Sequence, residues 1–188
     1  MKLFGKKTDP VIGLDIGSTS VRLLQLSSHG SGYQIDHFAI EALNEGVVVD
    51  KAVQDVEAAS NAISRAVRAS GTRAKSCAIA VSGSAVFTKL ISLPADLAAA
   101  DVESQVQIEA NQYIPYPLDE VSLDFEVLGP SARNADLMDI LLAASKSENI
   151  ESRQDAIDTA GLKAKVVDVE AFAIANAFEL IRKRDGIK

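Results

Sequence analysis

The sequence has one cysteine, no tryptophan and two histidines in 188 residues. A lone cysteine excludes an internal disulfide and a multi-cysteine metal cluster. Cys77 sits in the apolar run SCAIAV, 76–81, which makes it a buried structural thiol and fits a reducing compartment. His29 falls in a turn and His37 on a strand, and neither has a second histidine at metal-ligand spacing. There is no G-x-S-x-G elbow for a nucleophilic serine. No apolar run approaches the ~20 residues that a membrane helix needs. The opening MKLFGKKTDP lacks the apolar stretch of a signal peptide and is expected to form a short flexible tail over 1–10. Basic residues are in deficit, 19 Lys and Arg against 26 Asp and Glu, a net charge of −7 that argues against nucleic acid as a partner. Two basic clusters stand out, Lys6-Lys7 and Arg182-Lys183-Arg184. The second reads as the last turn of a helix, where cations suit the dipole.

What is present is the 47% hydrophobic content of a globular chain, ordered by period. Three strand-like runs open it: 11–16, 20–27 and 33–42. Short Gly/Ser turns join them, the signature of antiparallel hairpins. A helix is expected from an Asp50 N-cap to a Gly71 C-terminal stop, burying Val53, Val56, Ile63 and Val67. SCAIAV follows as a central strand covered on both faces. After Ser82-Gly83-Ser84 a second unit begins. It reads as strand 85–93, a helix opened by Pro94 with Val102, Val106, Ala110 and Tyr113 on one face, strands 121–129 and 136–145, and a helix from Ser147 to Ala160. The chain then returns to the first sheet through KAKVVDVEA, 163–171, and ends in a helix whose buried face carries Ile174, Phe178 and Ile181. The expectation is one α/β domain over 11–82 and 163–188, interrupted by a strand–helix–strand–strand–helix insertion over 83–162.

Two stretches are suited to binding. In GLDIGSTSVRLLQL, Gly13–Leu26, a strand ends in Asp15, turns through Gly17, Ser18, Thr19 and Ser20, and resumes. Glycine lets backbone N–H groups approach an anion, and hydroxyls add donors. A carboxylate beside such a turn orients Mg²⁺ through water, and Arg22 lies just beyond. The turn leads into a strand, so it is neither a P-loop nor a dinucleotide fingerprint. On its own it is equally an ordinary hairpin. The second stretch is NQYIPYPLDEV, 111–121, where two tyrosines and an isoleucine interleave with two prolines. It reads either as helix termination with local packing or as an apolar platform for a partner peptide.

The stretches GLDIGSTSVRLLQLS, AVSGSAVFTKLISLP, IEANQYIPYPLDEVSLDFEVLGPSARN and VVDVEAFAIANAFEL together resemble the PilM family of type IV pilus assembly proteins, actin-like relatives of FtsA. The resemblance implies an actin-like, ribonuclease H-like mixed sheet, subdomain 1A, with an inserted small α+β subdomain of SHS2 type, 1C. It makes the opening hairpin the first phosphate-binding motif. Asp15 then takes the place of the Mg²⁺-proximal aspartate. Gly17, Ser18, Thr19 and Ser20 form the phosphate turn, and Arg22 stands where many relatives have lysine. The resemblance implies ATP with Mg²⁺ as cofactor of the intact two-lobed protein. It implies a cytoplasmic location at the inner membrane through partners, and binding of the N-terminal cytoplasmic segment of PilN in a groove between 1A and 1C. Contact with other inner-membrane pilus proteins and self-association also follow from it.

Relatives continue into a second lobe that carries the rest of the nucleotide site. In this chain the lobe is expected to be absent, so half of an ATP cleft with no named catalytic residue is expected to bind little nucleotide and hydrolyse none. Two other readings of the same motifs are an ATP-hydrolysing or phosphotransferring enzyme of the actin and sugar-kinase superfamily, which would need a residue that orients the nucleophile, and a cell-division anchor of FtsA type.

Overall fold

A computed structural model describes residues 9–30 and 32–185. The tail expected over 1–10 lies outside them through residue 8, as do Lys6-Lys7 and residues 186–188. The chain divides into two compact units, 1–82 with 151–188 and 83–150.

The first unit holds a five-stranded sheet in the order β10-β6-β1-β2-β3. Strands β1 (Val11–Ile16), β2 (Ser20–His29) and β3 (Gly32–Ala42) form the antiparallel meander that the turn chemistry predicts. β6 (Ser76–Val81) runs parallel to β1 and to β10 (Lys163–Val169). Helix α1 (Val56–Ser70) makes the crossover between β3 and β6, as parallel pairing requires. Alternation along β1 sends Ile12, Leu14 and Ile16 to one face. Ala59, Ala62, Ile63 and Ala66 of α1 share their buried cluster. The alanines let the helix axis approach the sheet closely.

Helix α1 starts later than its sequence suggested. Asp55, not Asp50, is the N-cap, and its carboxylate accepts the amide of Ala58 at 2.8 Å. The 50s instead form a small hairpin, β4 (Val48–Val49) and β5 (Ala52–Val53). Asp50 (φ 49°) and Lys51 (φ 70°) turn it in the left-handed region, the geometry of a two-residue hairpin loop. Val53 is thus buried from a strand rather than from the helix. Gly71 does end α1 in a left-handed conformation, φ 71°.

Helix α3 (Ser147–Thr159) also departs from expectation. The insertion expected over 83–162 ends at Ile150, because Ala156, Ile157 and Leu162 belong to the first unit's core. Arg153 of α3 is itself only 4% exposed. The last helix, α4 (Glu170–Asp185), is the larger surprise. Ile174, Phe178 and Ile181 form the expected apolar stripe, yet they are 68%, 57% and 49% exposed. Periodicity marks a face as apolar, but burial needs an element opposite it, and none of the described residues of this unit supplies one.

The sheet face away from α1 is bare for a related reason. Gly13, Ala78 and Ala80 floor a groove of about 490 Å³ between Phe38 and Ile40 on one side and Val166 on the other. A bulge in β3 extends its apolar wall. The register skips from the Gln25–His37 pair to Leu26–Ile35, so Tyr33 and Ile35 join Phe38 and Ile40 on one face. Simple alternation would have divided them.

The second unit is a three-stranded antiparallel sheet, order β7-β9-β8, from β7 (Val86–Pro94), β8 (Val121–Pro130) and β9 (Leu137–Lys146). Helix α2 (Ala99–Tyr113) packs Val102, Val106 and Ala110 against Ile91, Leu93, Ile140 and Leu142. Pro94 ends β7 instead of opening the helix, whose N-cap position is Ala98. Tyr113, expected on the buried stripe, is 41% exposed. No helix among the described residues is long and apolar enough to cross a membrane.

Cys77 is fully buried in β6, and burial first, then the charge of Asp158, pushes its thiol up to about 11. The raised value means that its contribution to folding is complete below the unfolded thiol's pKa. It is lost as pH rises through about 11. The expected result is slow labelling of the folded chain by a thiol reagent at pH 8, and rapid labelling in denaturant. Equal rates in both conditions would contradict the burial.

Candidate functional site

The opening hairpin is built as a tight loop between two register-locked strands. Ile16 pairs with Val21 and Asp15 with Arg22, leaving Gly17, Ser18, Thr19 and Ser20 at the tip. The Gly17 amide donates to the Ser20 carbonyl at 3.0 Å, and the Leu43 amide donates to the Thr19 carbonyl at 2.9 Å, tying the tip to the end of β3. Ser18 and Thr19 are exposed, whereas Ser20 is buried. A Cβ on Gly17 would lie 3.3 Å from the Ser20 carbonyl oxygen and 3.5 Å from the Arg22 guanidinium. The first spacing is tighter than ordinary contact, so a side chain there would require the Ser20 carbonyl to give by a few tenths of an ångström.

The two charged residues face each other across the strands. Arg22 Nη1 donates to Asp15 Oδ2 at 2.7 Å, with both side chains about half exposed. An exposed pair of this kind contributes roughly 0–1 kcal/mol to folding. Its consequence is chemical: one carboxylate oxygen of Asp15 is already engaged by a cation. The exposed hydroxyls and the small Gly17 fit an anion at the tip. Asp15 fits a hydrated Mg²⁺ through its outward carboxylate, with Arg22 the cation it must share or release. Among the described residues no cluster of three His, Cys, Asp or Glu is placed to hold a metal ion directly.

Sequence reasoning missed a charged group behind this hairpin. Burial lowers the pKa of Arg153, while Glu170, at the start of α4, and Asp15 oppose that shift. Its guanidinium Nη2 donates to the Lys51 carbonyl in the left-handed turn. Asp168, at the end of β10, caps the following amide of Val169 at 2.7 Å. Arg153 gave no sequence signal, because it lies on a mostly polar helix and burial alone distinguishes it.

The proline-flanked stretch of the second unit forms a second candidate. Ile114, Pro115 and Tyr116 wall a cavity of about 320 Å³ together with Val86, Phe87 and Val121. Lys146 Nζ sits 4.4 Å from the Tyr116 ring centroid and Lys89 Nζ 4.7 Å from that of Tyr113, both cation–π distances.

A mixed sheet of order β10-β6-β1-β2-β3 with an inserted α+β unit defines an actin-like, ribonuclease H-like lobe. The chain belongs to the PilM family of type IV pilus assembly proteins, whose family model matches residues 13–184. It is similar to a solved structure described as a PilM–PilN type IV pilus biogenesis complex, with 28% identity and a TM-score of 0.76 over 87% of this chain and 48% of that one. It is similar in fold to the cytoplasmic domain of EpsL, an inner membrane component of the type II secretion system of Vibrio cholerae. There the identity is 12% and the TM-score 0.56, over 87% of this chain and 58% of that one. The chain thus spans about half the length of the solved relatives that it matches.

Proposed function

We propose that this chain supplies the peptide-binding part of a cytoplasmic actin-like scaffold in type IV pilus assembly, and that it holds the N-terminal cytoplasmic segment of PilN. The family match over 13–184 carries this reading, together with the likeness to a PilM structure described in complex with PilN. Through that segment the protein would be held at the inner membrane, with the other inner-membrane pilus proteins as further partners. Titration of the chain with a fluorescently labelled peptide of that segment, followed by anisotropy, tests the reading. Saturable binding supports it, and no binding by either this chain or a two-lobed relative overturns it.

In the two-lobed protein the hairpin of Asp15 to Ser20 would contact the phosphates of ATP, with Mg²⁺ held through water on Asp15. Nucleotide would then act by closing the lobes and biasing partner affinity, as hinge switches do. Asp15→Asn in a two-lobed protein is expected to weaken Mg-ATP binding at least tenfold, measured by calorimetry. Its folding stability should change by less than about 1 kcal/mol, because the ion pair it removes is exposed. Unchanged affinity would assign the hairpin a structural role only.

A further inference from the structure

Strand β3 is an open edge of the sheet in the first unit, with no strand beyond it among the described residues. The hydrogen bond from the Leu43 amide to the Thr19 carbonyl fixes which of its backbone groups are free. In an antiparallel ladder, bonded and non-bonded pairs alternate. Leu43 and Thr19 continue the register of Ala42 with Ser20, so Glu41, Ala39 and His37 are the residues bonded to β2. Phe38, Ile40 and Ala42 therefore turn their N–H and C=O groups outward. The same period of two sends the Phe38 and Ile40 side chains to the bare face, where they are 67% and 65% exposed.

Two features bound this open stretch. At one end Arg65 Nη2 donates to the Ala42 carbonyl at 3.3 Å and occupies that acceptor. At the other the register skips Asp36, whose carboxylate accepts from Ser27 Oγ at 2.9 Å. A covering side chain and a bulge are both devices that shield a sheet edge. Between them Phe38 and Ile40 stay unshielded, and β3 carries no lysine or proline to block a strand added there.

The open stretch is complementary to itself. When it is set antiparallel to a second β3 about a two-fold axis at Ala39, Phe38 of each copy faces Ile40 of the other. Both pairs have outward backbone groups, so both can exchange N–H···O bonds. Their side chains make two aromatic–β-branched contacts, a favourable cross-strand combination. On the face toward α1, where His37 Nδ1 donates to the Ser70 carbonyl and Glu41 pairs with Arg65, His37 falls opposite Glu41 of the second copy. Ala39 falls opposite Ala39, and no like charges meet. An axis at Ile40 would instead need the Ala42 carbonyl, which Arg65 holds.

We infer that β3 is an interface between two copies of this chain, which pair their β3 edges about a two-fold axis at Ala39 and join their sheets into one. The inference goes beyond the proposed function and is tested without the PilN segment, so either can fail alone.

The test is sedimentation of the chain across a wide concentration range, where a reversible monomer–dimer equilibrium with no larger species is expected. Ile40→Lys sets two ammonium groups against the Phe38 side chains. Phe38→Pro removes an outward N–H and leaves the ladder to β2 whole. Each change counts twice across the axis. Each is expected to raise the dimer dissociation constant at least tenfold with an unchanged far-UV spectrum. Ile174→Ser, on the exposed apolar face of α4, should dimerise like the parent chain. On oxidation Ala39→Cys should give a disulfide-linked dimer, because non-bonded pairs bring Cα atoms to about 4.5 Å. Glu41→Cys should not, because its counterpart lies about 13 Å away along the strands. A chain that stays monomeric, or edge variants that dimerise within twofold of the parent, would overturn the inference. So would loss of the dimer in Ile174→Ser alone, which would move the contact to α4, or a disulfide through Glu41→Cys but not Ala39→Cys. If Phe38→Pro misfolds, Ile40→Lys and the cysteine pair decide, because Ile40 lies on the exposed face.

Discussion

Arg153→Ala is expected to destabilise the first unit by about 3 kcal/mol, the scale measured when one member of a buried charged network is removed. The side chain is 4% exposed, and its Nη2 donates to the Lys51 carbonyl. Three losses combine. The carbonyl of Lys51 is left without that donor in a turn held in the left-handed region at both Asp50 and Lys51. The negative charges of Asp15 and Glu170, which favour the charged guanidinium, lose its compensation. The volume of a long side chain is vacated beside Ala156 and Ile157. At roughly 2–4 °C per kcal/mol for a chain of this size, the melting temperature should fall by about 6–12 °C. Arg153→Met should recover part of the loss by refilling the volume, although it cannot donate. A change below about 1 kcal/mol in urea denaturation would mean that the guanidinium is solvated in the native protein.

Leu142→Ala should cost about 3 kcal/mol in the second unit. Leu142 is 0% exposed in β9, the middle strand, where it pairs with Lys89 of β7 and Phe125 of β8 and faces α2. The opposing helix offers only Val102, Val106 and Ala110 as buried residues. Those short side chains cannot extend to fill the hole, so the cavity term should remain nearly whole. In a unit this small the loss is a large share of total stability. The readout is urea denaturation followed by Tyr113 and Tyr116 fluorescence, both tyrosines belonging to this unit. A midpoint unchanged from the parent would show that α2 and the sheet re-close over the gap.

Much of the fold is legible because its signals are local. The runs 11–16, 20–27 and 33–42 are strand-like and meet at Gly/Ser turns, and they fold as a meander. Gly71 and Gly161 stop helices by their left-handed geometry (φ 71° and 77°), a property of the residue itself. Asp50 and Asp55 show where local reading fails. Both are good caps in isolation, and the choice fell to Asp55 because Val48 and Val53 are buried as a hairpin pair that uses the 50s as its turn. The bulge in β3 is likewise silent in the sequence, because it is a property of the pairing with β2.

The candidate sites divide along the same line. The residues of the hairpin, Asp15 to Arg22, are neighbours in sequence, so their juxtaposition follows from one strand–turn–strand unit. The engagement of Asp15 by Arg22 at 2.7 Å follows from the register of that unit. The cavity beside Tyr116 draws on β7, the segment after α2, the start of β8, the end of β9 and α3, and no window of sequence contains it. The proline-rich stretch shows only that one stiff wall exists. By itself the sequence determined most of the strands and helices and the apolar stripes they carry, because each depends on residues within a few positions of one another. The tertiary structure alone decided which apolar faces are covered, leaving Ile174, Phe178 and Ile181 of α4 exposed while burying Arg153. Burial is a relation between distant segments, and a side chain's own chemistry does not specify what will pack against it.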